Sequence, residues 1–304
     1  ACVKHRNVSG AYALFLEGVE DGEPPPEAQC AALIEQLCTR GMGANCRTAL
    51  AAMADHGYKL TVRLCTMTVG ALLRSGQPMR GFEVFAEHLE RAGPAADGAA
   101  VGSLAASDAN VEHTLALLSK ALAKKMHGGR AHRVYACALS AGVVTNVGSW
   151  ALPALCLACV ETGHLREAIS LCDDARRALI ALDTVTASAL VKAVAAAKLV
   201  DDGKNLLPEL AAKRLAADPP SMRALLELLL SAKPQPLAEA AQLYGLLAKS
   251  LVPTKPAAGA AGAGGAPVDA ARAPKGHAEL RKQMPSLLHS VVEAQVGAAA
   301  EGAA

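Results

Sequence analysis

Several clusters in the sequence have residue types and spacings that could do chemistry. Cys156-Leu157-Ala158-Cys159 has the two-residue gap of a redox dithiol. A reactive pair needs an exposed helix N-terminus, where the dipole lowers the thiol pKa, whereas both thiols here lie in an apolar run between Leu155 and Val160. Buried packing is therefore their expected role. His127, His132 and Cys137 are zinc-ligand types, but their spacing fits no zinc module. Asp173-Asp174 and Asp201-Asp202 pair carboxylates with no sequence neighbour suited to general acid–base work. Gly262-Ala263-Gly264-Gly265 lacks both the Lys-Ser/Thr and the preceding strand of a phosphate loop. Neither a Gly-x-Ser-x-Gly elbow nor a His-Glu-x-x-His helix is present. The sequence thus predicts a non-enzyme, with no catalytic residue, metal, cofactor or small-molecule substrate.

What remains is non-covalent chemistry, and it centres on cations. Residues 110 to 133 hold Lys120, Lys124, Lys125, Arg130 and Arg133 with His127 and His132, against Glu112 alone. Lys120 and Lys124 are one helical turn apart, and Arg63, Arg74, Lys192 and Arg223 fall in comparable segments, so a shared anion-binding face is expected. A formal net charge of +2 nevertheless excludes a protein that grips phosphates by charge along its whole length.

The elements that must position these residues are helices. Hydrophobic residues make up 52% of the chain while aromatics make up 3%, so the core is built from Ala and aliphatic side chains, which suits close-packed helices better than sheets. Nine cysteines, an odd number lying mostly in apolar runs, read as reduced core residues. No stretch has the bulk of a membrane span. The first residue is Ala1 rather than Met, which leaves a leader or further repeats upstream open.

Internal periodicity is pronounced. Small residues recur at Ala11, Cys46, Gly81, Ala131, Ala168, Gly203 and Ala240, and most are followed three and four positions on by bulky ones, as in Gly81-Phe82-Glu83-Val84-Phe85 and Ala240-Ala241-Gln242-Leu243-Tyr244. That is one face of a helix. A second apolar run precedes each, such as Ala32 to Cys38 and Ala189 to Val194, and glycine-bearing turns at Gly41, Gly76 and Gly163 separate the two. Two helices per period of about 35 residues make an αα-hairpin solenoid.

Period and motif resemble the pentatricopeptide repeat family, whose second half-repeat reads as a small residue, a hydrophobe, a charge and Leu-Phe, closing about sixteen positions later in Asp or Asn. Thr162 to Asp183 is the closest match. Tetratricopeptide repeats are the nearest alternative, but their Trp/Tyr/Pro signature is missing. The resemblance implies an all-α, right-handed α-solenoid of about six helix-turn-helix repeats over residues 1–254. The repeats fall at 27–61, 62–97, about 110–146, 147–183, 184–218 and 219–254, with an inserted loop at 98–109. A flexible Ala/Gly/Pro linker at 255–276 and a short helix and disordered tail at 277–304 follow, the helix capping the last core face.

It further implies RNA binding, one base per repeat, through the fifth residue of the first helix and the residue closing the repeat. The candidate base-readers are Thr66, Asp97, Ser188, Asp218, Asn146, Asp183 and Arg223. Only Thr66/Asp97 and Ser188/Asp218 form base-selecting pairs, since the alanines at the fifth position of other repeats contact a base without choosing it. Phosphate contacts are assigned to Lys120, Lys124, Lys125, Arg130, Arg63, Arg74 and Lys192. The partners implied are single-stranded or structured organellar RNA, with ribosomal or RNA-processing proteins, in a mitochondrion or chloroplast. Two uses stay open: a non-catalytic RNA-binding protein of organellar RNA processing, stability or translation, and a protein-interaction scaffold without base readout. The repeat arm of a protein-only RNase P also fits, as a fragment without its nuclease domain.

Overall fold

The computed structural model describes residues 7–89, 109–212, 215–233, 235–251, 279 and 282–293. Asp97, most of the insertion at 98–109 and the linker at 255–276 lie outside these residues, as does most of the expected tail.

Among the described residues the regular structure is helical, joined only by one isolated parallel bridge, Leu182 to Leu215. The order is α1 (Val8–Glu20), α2 (Glu27–Thr39), α3 (Gly43–Asp55), α4 (Val62–Arg74) and α5 (Pro78–Val84), which runs into a π segment at Phe85–Leu89. There follow α6 (Ala109–Lys124), α7 (Gly128–Ser140), a 3-10 turn at Val147–Trp150, α8 (Leu152–Glu161) and α9 (Leu165–Arg177). The last are α10 (Thr184–Ala196), α11 (Val200–Ala211), α12 (Pro219–Ser231) and α13 (Leu237–Leu251), with a helical stretch over 282–293.

Local chemistry explains where these helices start. Asn7, Thr61, Asp183 and Asp218 each accept a hydrogen bond from the third amide of the following helix, satisfying a donor that has no partner inside the helix. Pro78 and Pro219 occupy first turns, where their missing N–H is no loss. Gly41, Gly76 and Gly163 end first helices with φ of 71°, 73° and 78°. Met126 and Lys198 take the same role at φ of 58° and 56°, although neither sequence position offers a glycine.

The chain divides into two compact units, residues 1–167 and 168–304. Within the first, first helices pack on first helices, α2 on α4, α4 on α6 and α6 on α8, while each second helix packs on its own partner and on the next first helix. Within the second, α10 packs on α12 and α11 on α13. Within each unit, hairpins stacked this way share a continuous core. The recurring small residues are its seams: Ala11, Cys46, Gly81, Ala131, Ala168, Gly203 and Ala240 are all buried. A Cβ added to Gly203 would fall 2.9 Å from Leu225 Cδ1.

The segment 147–151 departs from the simple pattern. Alignment of the repeats predicts a first helix from Val147, whereas the chain makes a 3-10 turn, takes a left-handed conformation at Ala151 (φ 51°) and starts α8 at Leu152. Pro153 gives the reason. In the second turn of a helix begun at 147 it would clash and leave a carbonyl unbonded, but in the first turn of α8 it is tolerated.

Candidate nucleic-acid interface

The first helices of unit 1 enclose a groove of about 860 Å³. Its walls are the end of α2 at Thr39, the α4 face Arg63, Thr66, Met67, Gly70, Leu73 and Arg74, and the α6 face Asn110, His113, Thr114, Leu117 and Ala121. On α6 these residues recur at three- and four-residue steps, and Lys120 and Lys124 continue the stripe toward the helix end. Both lysines are exposed. Arg74 donates from Nη2 to Cys38 O at 2.7 Å, which ties the guanidinium to the rim, and Arg63 sits 3.6 Å from Glu35 while staying exposed. The lining combines threonine hydroxyls, the Asn110 amide and the Arg63 and Arg74 cations, and Leu117 adds an apolar wall that is 44% exposed.

The structure gathers Arg63, Arg74 and Thr66 at this groove, with Lys120 and Lys124 on the adjoining stripe. It places other candidates elsewhere. Lys125 donates to Gly76 O in the turn after α4, at 3.3 Å. Arg130, on α7, lies over the Phe82 ring at 5.7 Å and against Met79 Sδ at 3.2 Å, away from the first-helix face. Thr39, Asn110, His113 and Thr114 line the groove without having been expected. The three on α6 could have been found from the periodic stripe that continues to Lys120 and Lys124, but the stripe identifies a face only once the neighbouring helix is known.

The fifth positions of the first helices have their polar atoms committed. Thr66 is 6% exposed, and its hydroxyl donates to Val62 O and Arg63 O at 2.9 and 3.0 Å. Ser188, 5% exposed, accepts from Asp218 N at 2.8 Å. Asp218 is itself a cap: its Oδ1 accepts from the Ser221 amide at 2.8 Å and from the Ser221 hydroxyl, and its Oδ2 lies 3.5 Å from Lys192 Nζ. Burial tends to raise the Asp218 pKa, but these donors outweigh it and hold the carboxyl below its usual range. Asp183 accepts from Thr186 N at 2.7 Å and Asn146 from Gly148 N at 3.0 Å. Arg223 donates to Glu227 Oε1 at 2.7 Å and to Gln283 Oε1 in the 282–293 helix. The Asp and Asn that close repeats 110–146, 147–183 and 184–218 therefore serve the element that follows.

No family profile matches the chain, and no curated protein is similar enough to match. Among solved structures it is similar to the pentatricopeptide repeat protein PPR10 in complex with an 18-nt psaJ RNA element, at 14% identity and a TM-score of 0.35, over 83% of this chain and 34% of that one. It is also similar to PPR10 from maize, at 19% identity and a TM-score of 0.31, over 82% of this chain and 38% of that one. The chain thus spans little more than a third of the length of these structures. The helix pairs themselves decide the fold. The chain is a helical-repeat protein.

Two further groups in this helical-repeat chain bear on chemistry. The Cys156 and Cys159 thiols are buried in α8, where Cys159 donates to Gly128 O at 3.4 Å; burial, with Glu167 adding repulsion, pushes its pKa to about 12. Among the described residues no three His, Cys, Asp or Glu side chains gather as a metal site, and no helix is long and apolar enough to cross a membrane. Glu112 has a structural task. Its Oε1 accepts from the amides of Thr145 and Asn146, both at 3.1 Å, and from Trp150 Nε1 at 3.2 Å, while Oε2 accepts from the Thr145 hydroxyl. Burial works to raise the Glu112 pKa, yet these bonds bring it below the usual value. Fully buried Trp150, held edge-on to Tyr135, anchors the 3-10 turn to which Glu112 is bound.

Proposed function

We propose that this protein binds single-stranded RNA in the first-helix groove of unit 1, recognising backbone and shape, and that it does so without catalysis. The observation that carries the reading is the groove itself: Arg63 and Arg74 with His113 surround Thr39, Asn110 and Thr114, with Lys120 and Lys124 continuing the α6 face. Cations lining a groove meet phosphates, and neutral donors and acceptors beside them meet sugars and base edges. The internal bonds of Thr66, Ser188 and Asp218 argue for little base selection by Thr66/Asp97 and Ser188/Asp218. An organellar RNA-processing or ribosomal setting, with protein neighbours there, is part of this proposal and rests on the family resemblance alone.

A salt titration of the full chain with generic single-stranded RNA tests it. Arg63→Gln with Arg74→Gln should lower affinity about tenfold and reduce the slope of log K against log salt by about 1.4, the value for two phosphate contacts on a single strand. Unchanged affinity and slope would remove the strand from this groove. The exposed wall of Leu117 with Met67 and Leu73 favours a second reading, a partner's amphipathic helix seated there. In that case RNA fails to bind even at low salt, and Leu117→Asp disrupts a protein complex instead.

A further inference from the structure

Cys46 stands at one of the recurring small positions of the second helices, and Cys38 lies eight residues before it on the first helix of the same hairpin. The corresponding positions of the next three hairpins, again eight residues apart, carry Leu73 and Gly81, Ala123 and Ala131, and Val160 and Ala168. A seam that elsewhere sets an aliphatic side chain against a small one therefore holds two thiols here, with the Cys38 and Cys46 Sγ atoms 3.5 Å apart. The sulfurs are in contact and about 1.5 Å short of the disulfide bond length.

Both cysteines are buried, and access comes from the helix end. Cys38 is the last residue but one of α2, and Thr39 and Arg40 after it are exposed. A terminal turn opens at far lower cost than a core segment, and opening this one uncovers Cys38 while Cys46 stays packed. The Cys46 thiol, as hydrogen-bond partner, and the Arg74 guanidinium lower the Cys38 pKa against the effect of burial, whereas the same bond and burial raise that of Cys46. Cys38 is thus the attacking sulfur.

The pair also adjoins the groove. Cys38 O accepts from Arg74 Nη2 at 2.7 Å, and Thr39, next in the chain, lines the groove wall. Gly43 packs so closely on α4 that a Cβ there would fall 2.9 Å from Leu72 Cα, which fixes the start of α3 and, one turn on, Cys46. Drawing the sulfurs together therefore moves the last turn of α2, and the carbonyl that holds Arg74 moves with it.

We propose that Cys38 and Cys46 are a reversible thiol–disulfide site whose closure shifts the Arg74 end of the first-helix groove. The oxidant is hydrogen peroxide. The Cys38 thiolate attacks one peroxide oxygen and becomes a sulfenic acid, while the other oxygen leaves as hydroxide and takes up the thiol proton as water. The Cys46 sulfur then attacks the Cys38 sulfur, forming the S–S bond and expelling hydroxide, which takes the Cys46 proton as a second water. Two electrons pass from the sulfurs to the peroxide, and a dithiol returns them by exchange. The site does not depend on what the groove binds.

The test treats the full-length chain with hydrogen peroxide, raised until half-buried Cys137 is oxidised, then alkylates the remaining thiols and maps linked peptides by mass spectrometry. The expected product is a Cys38–Cys46 link that lacks two hydrogens and disappears with dithiothreitol. Oxidation of Cys137 without that link, or a link from Cys38 to another cysteine, overturns the site. In Cys46→Ala, which gives this seam the alanine found at positions 131 and 168, an unchanged melting temperature verifies the fold, and Cys38 should stop at a sulfenic acid that dimedone traps. Closure should also shift the NMR signal of the Arg74 guanidinium, assigned through Arg74→Gln, in the parent and not in Cys46→Ala. A signal unmoved in the oxidised parent overturns the coupling to the groove. Failure of the RNA reading is seen separately, as unchanged affinity and salt slope in Arg63→Gln with Arg74→Gln.

Discussion

The same hairpin architecture is used differently in the two units. In unit 1 the hairpin tips, where a first helix turns into its second, are cationic at 39–46, 74–80 and 124–130, while the fourth sets Arg166 between Glu161 and Glu167, and Arg63, Arg74 and His113 line an open groove. In unit 2 the tips are mixed, with Asp201 and Asp202 beside Lys198 and Lys204 in one and Lys233 and Glu239 in the other. The polar side chains on the first helices there bind each other: Lys192 to Asp218, Ser188 to the Asp218 amide, Arg223 to Glu227 and Gln283. A repeat position whose side chain caps or bridges cannot at once present that group to a ligand without losing stability. Unit 1 bonds Arg74 to Cys38 and sets Arg63 beside Glu35 but leaves Lys120 and Lys124 exposed on the groove stripe; unit 2 uses its polar groups to hold itself together.

The largest expected effect concerns how tightly the hairpins stack. Gly128→Val should destabilise unit 1 by about 3 kcal/mol or more, because the new side chain meets the Ala158 carbonyl and the Thr162 hydroxyl, and a backbone atom of a packed helix cannot step aside. Gly203→Leu in unit 2 meets the flexible end of Leu225 and should lose less, about 1–3 kcal/mol. Denaturant melts with a probe in each unit would decide; the reverse order would mean that the unit 1 tips are not the tighter seam.

The hydrogen bonds of two half-buried carboxylates come next. Glu112→Gln should lower stability by about 1–3 kcal/mol by removing a charged acceptor from several donors, and Asp218→Ala by about 0.5–2 kcal/mol by removing a cap. Both folded pKa values lie below their unfolded ones, so each carboxyl's contribution is complete above about pH 4.3 and 3.9 respectively and is lost as pH falls through the folded value. Acid melts of Glu112→Gln should accordingly be flatter than those of the parent below that range. A parallel curve would show that the clamp on the 145–150 segment is not charge-dependent.

The smallest effect sharpens the functional contrast. Lys192→Gln with Arg223→Gln in unit 2 should change single-stranded RNA affinity by less than about twofold, set against about tenfold for the unit 1 pair. A comparable loss from both pairs would extend the interface over the second unit and erase the distinction.

The paired-helix reading of the fold follows from local rules. Ala131, Ala168 and Ala240 recur with bulky residues three and four positions on, and that spacing alone assigns a buried face; the structure buries all three. Asp183 and Asp218 are start signals of the same local kind, since a cap reaches only three residues ahead. Pro153 carried enough information to delay α8 to Leu152, but repeat alignment hid it. The site was less legible. Thr66 and Ser188 stand at positions that suggest base contact, and nothing in their neighbours' identities says that each is buried with its hydroxyl already bonded.

The sequence by itself determined the helices, their starts and stops and their apolar faces, because those depend on residues a few positions apart. Only the tertiary structure decided which cations share a surface, as Lys125 meets Gly76 and Arg130 meets Met79 across about fifty residues. It likewise turned Glu112 into the anchor of a turn more than thirty residues away. Such neighbours are brought together by the stacking of whole hairpins, a geometry set by the fit of small residues at every seam and not encoded at any one position.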